Sequence, residues 1–145
     1  MLRLLAPALA VAALLAVAAL PRPGTAAEGR TLAATLTGAA EVPGPGDPDG
    51  SGTAVIALYP EHGVVCFELH VAGIQPATAA HIHVAPAGEA GPVLVTLAPP
   101  TDGFAHGCVH ADRHLTDAIL HHPEEYYVNV HNAEFPAGAL RGQLG

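Results

Sequence analysis

The sequence predicts a single all-β domain, an antiparallel Greek-key sandwich or barrel with one short helix. Three observations carry that prediction. Apolar and polar residues alternate over short stretches, which is the period of a half-buried strand. Glycine and proline, 16 and 14 of the 145 residues, punctuate the chain into segments of strand length. No long stretch follows the helical period, so about seven or eight short strands separated by turns are expected.

Taken in order, Thr31 to Thr37 alternates, with Leu32, Ala34 and Leu36 on one face. Glu41 to Gly52 is a turn-forming loop, Pro43-Gly44-Pro45-Gly46-Asp47-Pro48-Asp49-Gly50. Its prolines remove ladder donors and its glycines permit positive φ. Thr53 to Tyr59 and Val64 to Val71 flank the tight turn Pro60-Glu61-His62-Gly63 and read as a hairpin. In the second of these strands Val65, Phe67, Leu69 and Val71 face the core, while Cys66, Glu68 and His70 face away. Gly73-Ile74-Gln75-Pro76 ends it. Ala80 to Val84 is the next strand, the loop Pro86 to Pro92 follows, and Val93 to Leu97 is a short apolar strand closed by Pro99-Pro100. Thr101 to Arg113 reads as irregular. Leu115 to His122 is the one short helix, with Thr116 or Asp117 as its cap and Pro123 as its stop. Tyr126 to Asn132 and Leu140 to Leu144 are the last strands, joined through the turn Pro136-Ala137-Gly138.

The first residues do not read as part of this domain. Arg3 precedes an apolar run from Leu4 to Leu20, Pro21-Arg22-Pro23-Gly24 breaks it, and Thr25-Ala26-Ala27 offers small residues for cleavage. Residues 1–27 therefore read as a secretory signal peptide, and 28–145 as the mature domain. An uncleaved anchor is the other reading, but the run is at the short end of the roughly 20 residues a bilayer needs. No later stretch is apolar for long enough to span. A secreted or periplasmic protein without stable membrane insertion is expected.

The mature chain keeps three arginines against 13 acidic residues, a net charge of about −10. That excludes a basic patch able to displace counterions from nucleic acid or an anionic membrane. Ten histidines offset part of this charge below about pH 6.5. Two cysteines, Cys66 and Cys108, suggest one disulfide in an exported chain; a pair of thiolate ligands is the alternative.

Histidines carry the chemistry. In Ala80-His81-Ile82-His83-Val84 the two imidazoles share a strand face, and in Tyr126-Tyr127-Val128-Asn129-Val130-His131 so do Tyr127, Asn129 and His131. If the strands are neighbours, His81, His83 and His131 converge outside an apolar sheet. Three imidazoles with an open position suit copper or zinc. His70 is a candidate fourth ligand. The competing reading is a polar cluster in which these rings hydrogen-bond to Asn129, Glu68 or Arg141 and lock adjacent strands. Arg141 has a guanidinium fork suited to Glu68 or Glu134, and its role reads as structural.

Other constellations weigh less. His106, His110 and His114 recur every four residues, but Gly103 and Gly107 favour a solvated loop. With His121 and His122 they form at most a weak metal-buffering surface, and His62 is an exposed turn residue. Asp47-Pro48-Asp49-Gly50-Ser51 has a trace of calcium-loop spacing without the later acidic ligands. Ser51 is the only serine, no G-x-S-x-G occurs, and no nucleophile–base pair or phosphate loop is present. The reading leans away from an enzyme.

Four pieces in order resemble the CHRD domain, named after chordin and found in many secreted bacterial proteins. They are Glu41-Val42-Pro43, Ala80-His81-Ile82-His83 followed by Gly88 and Gly91-Pro92, Tyr126-Tyr127-Val128-Asn129-Val130-His131, and Pro136-x-Gly138-x-x-Arg141-Gly142-Gln143-Leu144. The resemblance covers about residues 32–144. It implies an immunoglobulin-like or Greek-key all-β domain and no general activity for stand-alone members; the expectation is a non-enzymatic extracellular or periplasmic module that binds a protein or small ligand or serves structurally, with a copper- or zinc-binding protein as the alternative and a dismutase-type redox enzyme the least favoured. In chordin the domain belongs to an extracellular antagonist of growth factors. The site alone is similar to the copper ligands of copper–zinc superoxide dismutase, with His-x-His on one strand and Val-His on a later one. The stretch Val84 to Leu97 departs from that pattern, since it holds neither the histidine nor the aspartate of the bridging and zinc sites.

Overall fold

Strand periodicity over short segments yields eight strands in the computed structural model, which describes residues 29–145. They are β1 (Arg30–Thr37), β2 (Ser51–Tyr59), β3 (Val64–Ala72), β4 (Ala77–Val84), β5 (Val93–Leu97), β6 (Phe104–His110), β7 (Tyr126–Asn132) and β8 (Leu140–Gln143). One helix, α1 (Arg113–His121), lies between β6 and β7. The signal-peptide reading concerns residues 1–27 and lies outside the described residues.

All neighbours are antiparallel in one sheet ordered β5-β4-β7-β8-β1-β2-β3-β6, which curls into a nearly closed barrel. The hairpin expected around Gly63 is present. Gly63 has a φ of 59°, and β2 and β3 pair from Ser51↔Ala72 to Tyr59↔Val64. Inward side chains fill the barrel: Leu36, Ile56, Leu58, Val65, Leu69, Ile82, Val128, Val130 and Leu140 are all fully buried. Each such side chain contributes about 1.5–3 kcal/mol of transfer free energy.

Two expectations are corrected. The segment 101–113 is not wholly irregular, because it contains β6, paired with β3 along its length. Its alternation is weak in sequence: the inward residues Ala105, Gly107 and Val109 are small, and histidines point out. Gly107 packs under the Phe67 ring across the ladder, where a Cβ would stand 3.2 Å from it, a tight contact. His106 and His110 therefore sit exposed on a strand rather than in a loop. The helix also begins earlier than expected. Asp112, not Thr116 or Asp117, is its cap, with one carboxylate oxygen accepting the His114 and Leu115 N–H groups at 2.8 and 3.2 Å. In the loop before β2, Asp47 Oδ1 accepts the Asp49 N–H at 3.0 Å, the turn-forming use of that aspartate. Among the described residues no helix is long and apolar enough to cross a membrane.

Candidate metal centre

β4 and β7 are neighbours, with His81 opposite Asn129, His83 opposite Tyr127 and His131 opposite Ala79. On the other side of β7, β8 sets Arg141 opposite Asn129 and Gln143 opposite Tyr127. Alternation sends Ile82, Val128, Val130 and Leu140 into the core. It leaves His81, His83, Tyr127, Asn129, His131, Arg141 and Gln143 on the outer wall.

Part of that wall is covered by the β4–β5 loop, residues 85–92. Arg141 holds the loop down. Its Nη1 donates to the Glu89 carbonyl at 2.7 Å and its Nη2 to the Pro86 carbonyl at 2.9 Å and Gln143 Oε1 at 3.0 Å. The guanidinium carbon stands 3.5 Å from the centroid of the Tyr127 ring, against which His83 stacks at 4.7 Å. Gln143 Nε2 donates to the carbonyls of Ala85 and Glu124 at 2.9 and 2.8 Å. The partners of Arg141 differ from those expected, since neither Glu68 nor Glu134 pairs with it. Glu68 lies on β3, far along the sheet, and the buried fork is met by carbonyls of the loop it anchors. Gly91 lets the loop close, because a Cβ there would fall 1.8 Å from the Val84 carbonyl oxygen.

This clamp sets the chemistry of His83. Its Nδ1 lies 2.9 Å from the Gly91 carbonyl, which accepts from that nitrogen when the ring carries its proton there. His131 repeats the arrangement, with Nδ1 3.1 Å from the Pro136 carbonyl in the β7–β8 turn. Both Nε2 atoms meet Asn129 Oδ1, at 3.0 and 3.1 Å. His81 Nδ1 stands 3.2 Å from His131 Nε2. One ligand nitrogen from each of His81, His83 and His131 lies within 4.8 Å of the others, a cluster that can hold a metal ion. His83 and Asn129 are buried, and His81 and His131 are half-buried. Burial lowers the pKa of both His81 and His131 below the usual imidazole value, and neighbouring imidazoles of the cluster add to the effect. Neutral rings are the form a metal needs.

His70 is not a fourth ligand. It sits on β3, with Nε2 2.9 Å from Glu68 Oε1 and its ring 4.6 Å from Phe104. Both partners are over half exposed, 56% and 52%, so the pair adds at most about 1 kcal/mol and touches no part of the cluster. Cys66 and Cys108 face each other on β3 and β6 and are joined as a disulfide, which removes the thiolate-ligand alternative.

One residue escaped the sequence reading of the site. Glu41, which follows the 3-10 turn Gly38–Ala40, is only 6% exposed, and its Oε1 has no hydrogen-bond partner. Burial raises its pKa to about 7 against the opposing pull of the Val42 N–H, the Arg141 charge and the Asn129 side chain. Gly138 makes room for the carboxylate, since a Cβ there would lie 2.3 Å from Glu41 Cδ. The available signal was the carboxylate of Glu41-Val42-Pro43, noted only as part of a motif.

Fold and site together define a β-barrel domain with three histidines gathered on its outer wall. A model of the CHRD domain matches residues 32–144, and the chain belongs to that family. A search of curated proteins returns no match.

Proposed function

We propose that this CHRD protein is an exported, non-enzymatic binding module whose ligand is a copper or zinc ion held by His81, His83 and His131. The single observation that supports it is the gathering of one ring nitrogen from each of His81, His83 and His131 within 4.8 Å of the others. Metal-binding histidines ordinarily donate their second ring N–H to a carbonyl or carboxylate, which aims the other nitrogen at the ion. His83 and His131 set Nδ1 2.9 and 3.1 Å from the Gly91 and Pro136 carbonyls, a placement that suits Nε2 as the donor to an ion. Export is supported by the apolar leader and by the disulfide, which persists in oxidising compartments.

The test is calorimetric titration of untagged mature protein with zinc(II) and copper(II), beside His83→Ala. The wild type is expected to bind one equivalent and the variant to lose at least about a hundredfold in affinity. Equal binding by both proteins removes the site from consideration.

A further inference from the structure

We infer that a hollow between the loop before β2 and the β7–β8 turn binds a linear aliphatic polyamine, with one ammonium group on Glu41 and another on the carboxylates of an adjoining hollow. Glu41 is 6% exposed, and its Oε1 is buried with no hydrogen-bond partner. The residue lines a hollow of about 220 Å3, together with Pro43, Pro45, Phe135, Pro136 and Gly138. Gly138 is the residue against which the carboxylate lies. Arg141 acts on this carboxylate only through space, because its N–H groups are given to Glu89, Pro86 and Gln143. A buried carboxylate oxygen without a donor is costly, and an ammonium N–H at Oε1 removes that cost.

The chemistry of the hollow selects the head group and the stem. The buried oxygen left unpaired is Oε1 alone, which suits one N–H of an ammonium group better than the two-pronged guanidinium fork. Pro43, Pro45, Phe135 and Pro136 give the hollow apolar walls that cover methylene groups. Its volume of about 220 Å3 lies below the roughly 300–1,000 Å3 of sites for drug-sized ligands, so a slim chain fits and a ring system does not.

A second charge on the ligand follows from the neighbouring surface. Glu134 and Phe135 line both this hollow and another of about 320 Å3, whose walls also include Asp47 and Asp49. The two hollows share a wall, and the carboxylates of Glu41, Glu134, Asp47 and Asp49 are spread along them. Among the described residues only the three histidines bring three ligand atoms within 4.8 Å of one another, so these carboxylates are too dispersed to enclose one metal ion. Dispersed anions match cations dispersed along a flexible chain, and a polyamine carries ammonium groups separated by methylenes. The net charge of about −10 on residues 28–145 draws such a cation to the surface.

The test is calorimetric titration of metal-stripped mature protein with 1,4-diaminobutane at pH 8 and low salt. Burial holds the Glu41 pKa at about 7, so the carboxylate is charged at that pH. Wild type is expected to bind one equivalent, and to bind butylamine, which has a single ammonium group, about tenfold more weakly. Glu41→Gln should lose about tenfold or more in affinity for the diamine. Asp117→Asn removes the same charge from α1, in the wall of neither hollow, and should stay within about twofold of wild type. His83→Ala should bind the diamine as wild type does, because no histidine lines either hollow. Equal losses in Glu41→Gln and Asp117→Asn reduce the binding to general charge attraction and overturn the inference. Absence of binding by wild type overturns it too, as does butylamine binding as tightly as the diamine. Loss of binding in His83→Ala moves the amine to the histidines, with the same consequence. Should Glu41→Gln not fold, Glu134→Gln decides: it removes the carboxylate common to both hollows, and undiminished affinity in it refutes the polyamine site.

Discussion

Replacing Glu41 with glutamine should stabilise the metal-free protein, by an amount that depends on pH in a defined way. The carboxyl group has its pKa raised from 4.5 to about 7 by burial. Between those values the folded protein holds the proton more tightly than the unfolded chain does. Stability therefore falls as pH rises from about 4.5 to about 7, then stays low. With 1.36 kcal/mol for each tenfold change in proton affinity, ionising Glu41 costs the fold about 3 kcal/mol. A glutamine side chain has a similar shape and never ionises. Urea denaturation in the presence of chelator, from pH 4 to pH 8, measures the difference. Glu41→Gln and wild type should be nearly equal near pH 4, and the variant should be more stable by about 3 kcal/mol at pH 8. A difference independent of pH would show that Glu41 is not a carboxylate forced to ionise inside the protein. Wild type keeps this costly anion beside Asn129, and excess zinc(II) should recover part of the deficit through linkage.

Other perturbations separate the site from its scaffold. Arg141→Lys keeps the charge but loses the fork that grips Glu89, Pro86 and Gln143; stability should drop by about 2–4 kcal/mol and zinc affinity by about tenfold, read by denaturation and titration, with amide exchange at Gly91 as the local reporter. Removing the disulfide with Cys66→Ala and Cys108→Ala opens a loop of 42 residues and should cost about 4 kcal/mol on the chain-entropy model, while zinc affinity measured below the melting temperature stays within twofold. His70→Ala should change neither quantity appreciably, because its ring pairs with Glu68 on β3; a tenfold loss of zinc affinity would contradict the placement of the site.

Most of the fold was legible because strands report themselves by side-chain alternation, and seven of the eight did so. The missing one, β6, carries Ala105, Gly107 and Val109 inward, where Phe67 supplies the bulk from the neighbouring strand. A glycine chosen for cross-strand packing looks, in sequence, like a loop. The gathering of His81, His83 and His131 followed from alternation plus one assumption, that β4 and β7 are neighbours, and they are. Alternation could not reveal what the second nitrogen of each ring meets. That depends on carbonyls of Gly91 and Pro136, eight and five residues away along the chain, brought in by loops whose closure depends on tertiary contacts. Glu41 was hidden for the same reason. It precedes β8 by about a hundred residues of sequence and meets the site only through the turn at Gly138. The partners of Arg141 are mostly backbone oxygens, which no pattern of side chains can identify.

The proposed site puts a ring nitrogen from each of three imidazoles around one metal position on the outer barrel wall. Anomalous diffraction from crystals grown with zinc(II), collected on both sides of the zinc edge, tests it most directly. One strong peak about 2.1 Å from a ring nitrogen of each of His81, His83 and His131 is the expected result. Peaks confined to the exposed His106 and His110, with none among the three at saturating zinc, would contradict it.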